Sequence, residues 1–244
     1  MPCLIWMGCL LATLIVAIAY FTGSLHVGTA LLAIIPLLYF VTYAVNRYPA
    51  ALVPVKERRD IAARNSLNDL RSIAAILFSL LLFFEFGNEW VIAGWLPLFL
   101  IHRLGSNPGW AIFTLAVYFL ALLVGRLAGQ SILSFVNHRR LLVVSVVFSM
   151  LGYLLLTFAS SLLGAFLAVV IIGADFGPVY PVLAENLNGR FSYHPGFYNG
   201  IFSVAITGAM SAPWLLGYVD SYLGIRYLML IPALVRWRFS FSSC

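Results

Sequence analysis

Long apolar runs dominate this chain of 244 residues and decide what it can fold into. A helix rises about 1.5 Å per residue, so about twenty apolar residues cross the hydrocarbon core of a bilayer. Hydrophobic residues make up 63% of the chain and charged residues 9%, against about 45–50% and about 25% in soluble domains. We therefore predict an all-α polytopic membrane protein with about eight transmembrane helices, at 4–21, 27–45, 73–101, 110–136, 141–159, 162–186, 197–219 and 224–241.

The basic residues predict the orientation of these helices. Segment 46–71 holds six of the fourteen Lys and Arg residues, and cytoplasmic loops carry an excess of such residues. With this segment in the cytoplasm, only Arg103 and Arg226 lie outside and Arg126 lies within a span. Both chain termini are then cytoplasmic, and the remaining eleven basic residues lie inside, at Arg47, Lys56, Arg58, Arg59, Arg64, Arg71, Arg139, Arg140, Arg190, Arg236 and Arg238.

The order of the predicted helices indicates a divided chain. Two helices precede the basic segment and six follow it, whereas many carriers are built from two six-helix halves. We expect 1–45 to be the last two helices of an N-terminal half, 46–72 a cytoplasmic basic linker and 73–244 a complete C-terminal half. The first four helices would then be missing, and the uncharged start "MPCLIWMGCL" fits a truncated reading frame.

Three stretches carry a resemblance to a known family. They are "GRLAGQSILSFVNHRRLLV" (125–143), "GADFGPVYPVLAENLNGRF" (173–191) and "GAMSAPWLLGYVDSYLGIRY" (208–227). They resemble the eighth-to-ninth helix turn, the tenth helix and the eleventh helix of the major facilitator superfamily, in its sugar-permease branch typified by fucose permeases. The chain departs from the family's loop pattern at Asn137 and His138, where an acidic residue is expected.

The resemblance implies a partial twelve-helix transporter that works by alternating access. It further implies a secondary active or facilitative carrier of a small polar solute, such as a sugar, with a proton as the coupling ion of a symporter. The expected location is the inner membrane of a bacterium, with the lipid bilayer as surroundings. The alternative is a truncated, non-transporting membrane protein or a helix-packing partner, and transport would need a partner chain to supply the missing helices.

Ionisable residues inside the spans are the first candidates for a site. At about 1.5 Å per residue, Glu85, Arg126 and Asp175 lie about 18, 15 and 16 Å from the cytoplasmic ends of their helices. Charges at this depth are costly and mark functional sites or pinned helices. We expect Arg126 to hold the carboxylate of Glu85 or Asp175, so that protonation breaks the pair and couples proton entry to a change of state. A fixed pair that only pins helices together is the alternative.

Polar residues near Glu85 extend the candidate site. Glu89 lies about 24 Å from the cytoplasmic end, which suits either a water-exposed outer vestibule or a proton site. Asn88 and Trp90 could hydrogen-bond to and stack against a sugar, although an aromatic residue in this fold more often serves packing or an interface belt.

Glycines and prolines predict bending elements. Gly173, Gly177, Pro178 and Pro181 suggest a broken helix that bends during alternating access, with Tyr180 facing the site, and Pro213 suggests the same in the next span. A static kink is the alternative. A cytoplasmic gate could be formed by Glu185 with Arg139, Arg140 or Arg190, and a solvated surface ion pair is equally compatible with these positions.

Several function classes lack the motifs they require. Zinc-protease, nucleophile-elbow and phosphate-loop patterns are absent from the sequence, so we do not expect an enzyme. The four histidines lie in or next to predicted loops, so we expect neither a metal site nor a cofactor. The net charge of +6 reflects membrane orientation, and no nucleic-acid partner is expected.

Overall fold

Helices form the part of the chain that the structure describes, which comprises residues 2–45, 72–132, 138–190 and 195–234 of a computed structural model. The predicted all-α class is confirmed. The helices are α1 Pro2–Thr22, α2 Leu25–Val45, α3 Ile73–Leu104, α4 Pro108–Ile132, α5 His138–Phe158, α6 Leu162–Arg190, α7 Pro195–Leu223 and α8 Ile225–Leu228. Helical residues 230–234 follow α8, and the rest of the predicted span 224–241 lies outside the described residues.

The membrane-spanning character is strongest in three helices. Among the described residues, Ile73–Leu104, Pro108–Gly129 and Phe197–Leu223 are long and apolar enough to cross a membrane. Shorter apolar helices cover Trp6–Thr22, Leu25–Ile34, Val143–Phe158 and Leu162–Gly177. Large apolar side chains face outward on several helices, for example Phe40 and Leu163. In a bilayer such faces contact lipid, so the chain is a multi-pass integral membrane protein.

Both ends of α3 are defined by local capping. The Ser72 side chain accepts a hydrogen bond from the backbone N–H of Ala75 at 3.2 Å, which satisfies a donor that the first turn leaves without a helical partner. Gly105 ends the helix at φ 62°, and its N–H donates to the carbonyl of Leu100. A glycine adopts this left-handed conformation without the strain that a Cβ would cause. The helix therefore has a fixed length and places Glu85 to Glu89 near its middle.

Two tightly packed helix pairs form the centre of the molecule. In the first pair, α4 lies against α6, and a Cβ on Gly177 would overlap the backbone of Gly125. In the second pair, α3 lies against α7, and a Cβ on Gly208 would overlap the backbone of Phe83. Small residues let helix backbones approach this closely in membranes. The glycines therefore set the spacing of the four central helices.

The remaining helices pack around these pairs. Helix α1 packs against α4 and also contacts α2, and α5 packs against α6. The ring of Phe21 meets that of Trp110 at 5.2 Å, which brings the end of α1 next to the start of α4. The main core joins α1, α3, α4 and α6 through buried residues such as Trp6, Ile92, Leu122 and Phe176. The linker 46–71 lies outside the described residues, so the division into an N-terminal pair and a C-terminal half stays a prediction.

Candidate functional site

Neighbouring positions of α3 face two different helices. Gly87 packs against Gly208 and Ala212 of α7, whereas Glu89 points toward α4. Successive residues of a helix differ by about 100° around its axis, so two residues along the chain suffice to change the facing helix. Asn88 and Glu89, which the sequence analysis assigns to one candidate site, therefore face different helices.

Arg126 of α4 forms a buried ion pair with Glu89. Its Nη2 lies 3.0 Å from Oε1 and 3.3 Å from Oε2 of the carboxylate. The side chains of Arg126 and Glu89 are 4% and 1% exposed. The sequence predicts Glu85 or Asp175 as the partner of Arg126, and the structure adds Glu89. Glu89 is buried in this structure and does not line a water-exposed vestibule.

Trp6 of α1 covers the guanidinium of Arg126. The Cζ atom of Arg126 lies 4.5 Å from the centroid of the Trp6 ring, within the distance of a cation–π contact. Trp6 is buried and packs at 6.1 Å against Trp90 and 5.9 Å against Phe119. Trp90 therefore contacts Trp6, which matches the packing alternative for this residue. Three helices, α1, α3 and α4, thus build one charged centre.

Tyr118 lies beside the pair on α4. Its hydroxyl donates to the backbone carbonyl of Glu89 at 3.4 Å, a long hydrogen bond, and the residue is fully buried. Tyr118 and Arg126 are two helical turns apart on one face of α4. The contact fixes the height of α3 against α4 at the level of the ion pair.

The arrangement can change its charge by one proton. With Glu89 ionised, the pair is neutral as a whole and the guanidinium is held between a carboxylate and an aromatic face. With Glu89 protonated, Arg126 would keep its charge without the opposing carboxylate, in surroundings where charge is costly. A single proton can therefore alter how α1, α3 and α4 are held together.

The remaining predicted site residues Glu85, Asn88 and Asp175 lie on α3 and α6. Asp175 is buried on α6, between Gly173 and Gly177, and Glu85 is half-buried one turn before Glu89 on α3. Asn88 is buried and lines an apolar cavity of about 150 Å³ between α3 and α7, which also includes Ser211 and Ile231. The roles predicted for these three residues in solute or proton binding stay predictions.

The predicted bending elements lie within continuous helices. Gly173 approaches Tyr118, with a position for Cβ 2.8 Å from its carbonyl oxygen, and α6 runs unbroken from Leu162 to Arg190. Pro213 lies inside α7, and its carbonyl accepts a hydrogen bond from the indole N–H of Trp95 at 2.9 Å. The glycines thus serve close packing in this conformation, and bending during a transport cycle stays a prediction. The side chains of Pro178, Tyr180 and Pro181 lie outside the described part of the chain.

The predicted cytoplasmic gate falls outside the described side chains. Arg139 and Arg140 lie in the first turn of α5, and Glu185 and Arg190 lie toward the end of α6. Their backbones are helical, and the gate itself stays a prediction. Among the residues that the structure describes, no three His, Cys, Asp or Glu side chains are grouped to hold a metal ion.

Two residues of the charged centre could not be found from the sequence. Trp6 lies in a run that looks like any apolar span, and it is 120 positions away from Arg126. Nothing in the sequence distinguishes Tyr118 from an aromatic residue that serves packing. The one available signal was the intramembrane arginine, which requires neighbours that compensate its charge but does not say which ones.

Comparisons with known proteins point to one fold. No family model and no curated protein matches the sequence. Among solved structures, the chain is similar to the crystal structure of a Major Facilitator Superfamily transporter, FucP, in the outward conformation, with a TM-score of 0.62 and 20% sequence identity. The match covers 91% of this chain and 55% of the FucP chain. The chain has a major-facilitator fold and spans about half the length of that transporter.

Proposed function

We propose that this chain forms part of a secondary carrier for a small polar solute, a sugar being the favoured class, with Glu89 and Arg126 as its proton-coupling pair. The observation that carries the proposal is the buried ion pair beneath Trp6. Secondary carriers place coupling-ion sites near the midplane, between repeats that move against each other. The likeness to FucP supports the carrier fold.

The position of Trp6 supports a link between protonation and movement. In the predicted division of the chain, Trp6 belongs to the N-terminal half, while Glu89 and Arg126 belong to the C-terminal half. Protonation of Glu89 removes the carboxylate's charge from the guanidinium, while the contact with Trp6 of the other half remains. The cost of the next conformational change then depends on whether Glu89 carries a proton.

The proposed setting follows from the charge pattern. We place the chain in a bacterial inner membrane with both termini cytoplasmic, because the basic residues concentrate on one side. A carrier cavity needs two halves, so the rest of the cavity would come from a longer gene product or from a partner chain. Tagging the C-terminus at the native locus tests this. A band near 27.0 kDa would favour a partner chain or the non-transporting alternative, and a larger band a complete carrier.

Solute uptake into membrane vesicles tests the coupling pair. With an imposed pH gradient, the native protein should accumulate a tritiated hexose. The Glu89→Gln variant should lose accumulation but keep exchange of labelled for unlabelled solute, since exchange needs no net proton movement. Glu57→Gln makes the same chemical change in the linker and should behave as the native protein. Gradient-driven accumulation by Glu89→Gln at the native level would contradict the proposal.

A further inference from the structure

A second cavity lies away from the ion pair, at the far end of α3. It has a volume of about 430 Å³ and is lined by Trp95, Leu98, His102, Asp220 and Ile225. Pockets that bind small molecules commonly have volumes of about 300–1,000 Å³. At about 1.5 Å per residue, His102 lies about 20 Å along α3 from Glu89. The cavity is therefore distinct from the charged centre.

Residues of α3 and α7 line the two sides of this cavity. Trp95, Leu98 and His102 follow one another at intervals of three and four residues on α3, so they share one face. On α7, Gly217 and Asp220 are three apart and share a face in the same way. Ile225 of α8 closes the end of the cavity. His102 of α3 and Asp220 of α7 therefore line the same cavity.

Trp95 is held in place before any ligand binds. Its indole N–H donates to the carbonyl of Pro213 at 2.9 Å. The six-membered edge of its ring lies against Gly217, where a Cβ would stand 3.4 Å from Cζ2. A larger residue at Gly217 would crowd the ring. The ring is thus fixed at the wall, and fixing a binding group in advance lowers the entropy lost on binding.

The chemistry of the lining selects the ligand class. A carboxylate accepts hydrogen bonds from two hydroxyls, an imidazole donates or accepts one, and an aromatic ring packs against C–H groups. One acidic residue and one imidazole do not make the strongly negative surface that an organic cation would favour. The ligand that uses all of these groups together is a neutral molecule with several hydroxyls and an apolar face.

We propose that the cavity between Trp95, His102 and Asp220 is a binding site for a neutral hexose, at the end of the molecule remote from the start of α3. The site rests on the proposed function for the class of solute. In the proposed orientation it faces the outside, and it would take up solute before the solute reaches the midplane. Asp220 binds the hydroxyls, His102 binds a further one, and Trp95 supports the apolar face.

Binding of hexoses to the purified full chain in lipid nanodiscs tests the site. The probes are tritiated D-glucose, D-galactose and L-fucose, with tritiated choline as the cationic comparison. Asp220→Asn removes the charge but keeps the shape, and it should weaken hexose binding about tenfold or more, because hydrogen bonds to charged groups are the stronger ones. His102→Ala should also weaken binding, and it provides a second variant if Asp220→Asn is poorly folded. Ser221→Ala, at the neighbouring exposed position, should bind as the native chain does.

Each result bears on the site. Weaker binding by Asp220→Asn and His102→Ala, with native binding by Ser221→Ala, supports it. Equal binding by all of these variants, no binding of any hexose to the native chain, or binding of choline in place of hexose overturns it. The proposed function is tested by a different experiment. Gradient-driven uptake by Glu89→Gln would contradict the proposed function, whatever the effect of Asp220→Asn on hexose binding.

Discussion

The charged centre depends on compensation between individual residues. A buried ion pair costs desolvation of both partners, and its attraction repays this cost only when the surrounding groups are well placed. Arg126 is held by the Glu89 carboxylate and lies against the Trp6 ring. Removing one partner therefore costs more stability than the intact pair contributes, since the remaining charge stays buried.

A double-mutant cycle on Glu89 and Arg126 tests this reasoning. Replacing either residue alone, by Glu89→Gln or Arg126→Gln, should lower the free energy of unfolding by about 3–5 kcal/mol, because one charge loses its partner. The double variant should lose clearly less than the sum of the two. Unfolding by SDS in mixed micelles measures all three, with Glu57→Gln as the control for a lost carboxylate. Additive losses would show that the two side chains do not stabilise each other.

Replacement of Trp6 tests the cation–π contact. Trp6→Leu should cost about 0.5–2 kcal/mol more in the native chain than in the Arg126→Gln background, because only the native chain has a cation for the ring to hold. The same unfolding measurement gives both values. Trp214 is 62% exposed, and Trp214→Leu should cost the same in both backgrounds. An equal cost of Trp6→Leu in both backgrounds would mean that Trp6 contributes by apolar packing alone.

Helix packing is the scale at which glycine positions matter. The central pairs, α4 with α6 and α3 with α7, approach so closely that Gly177 and Gly208 have no room for a Cβ. Association of helices in lipid relies on such packing, because lipid tails are as apolar as the side chains they touch. The sequence marked Gly177 as a bending residue, whereas the structure shows it as a packing residue in this conformation.

Gly177→Ala tests the packing role of this glycine. The added methyl group must push α6 away from Gly125, and overpacking of this kind typically costs about 1–3 kcal/mol. Gly8 of α1 has nothing within 4 Å of a Cβ, so Gly8→Ala should be neutral or stabilise by up to about 1 kcal/mol, as alanine favours a helix. Thermal unfolding followed by circular dichroism compares the two. Equal midpoints would show that α4 and α6 separate without cost.

Helix positions were predictable from the sequence, and helix partners were not. Long apolar runs gave the seven long helices to within a few residues at most ends, because lipid allows few alternatives to a helix over such lengths. The partner of Arg126 was harder to predict. An estimate of depth placed Glu85, Asp175 and Arg126 in one layer, but depth alone does not give the arrangement of each helix against its neighbours. Glu89 lies on the same face of α3 as Glu85 but one turn farther from its start, so its choice as partner depends on how far α3 is shifted along α4.

At the scale of the whole molecule, helix ends alternate between two sides. The contact of Phe21 with Trp110 places the end of α1 and the start of α4 together. The cavity around His102 and Asp220 places the ends of α3 and α7 together. The segment 23–24 between α1 and α2 and the segment 105–107 between α3 and α4 therefore lie on one side, opposite the start of α3. That side should face away from the cytoplasm if segment 46–71 is cytoplasmic.

Cysteine labelling tests this orientation in intact cells. The native cysteines Cys3, Cys9 and Cys244 are first replaced by serine, and single cysteines are then introduced by Ser160→Cys and Ser66→Cys. Ser160 is exposed between α5 and α6, and α5 runs from the side on which α3 starts to the opposite side. A membrane-impermeant maleimide should therefore label position 160 in intact cells, whereas position 66 should react only after the membrane is opened. The reverse result would place the basic linker outside, and the hexose site at Asp220 would then face the cytoplasm.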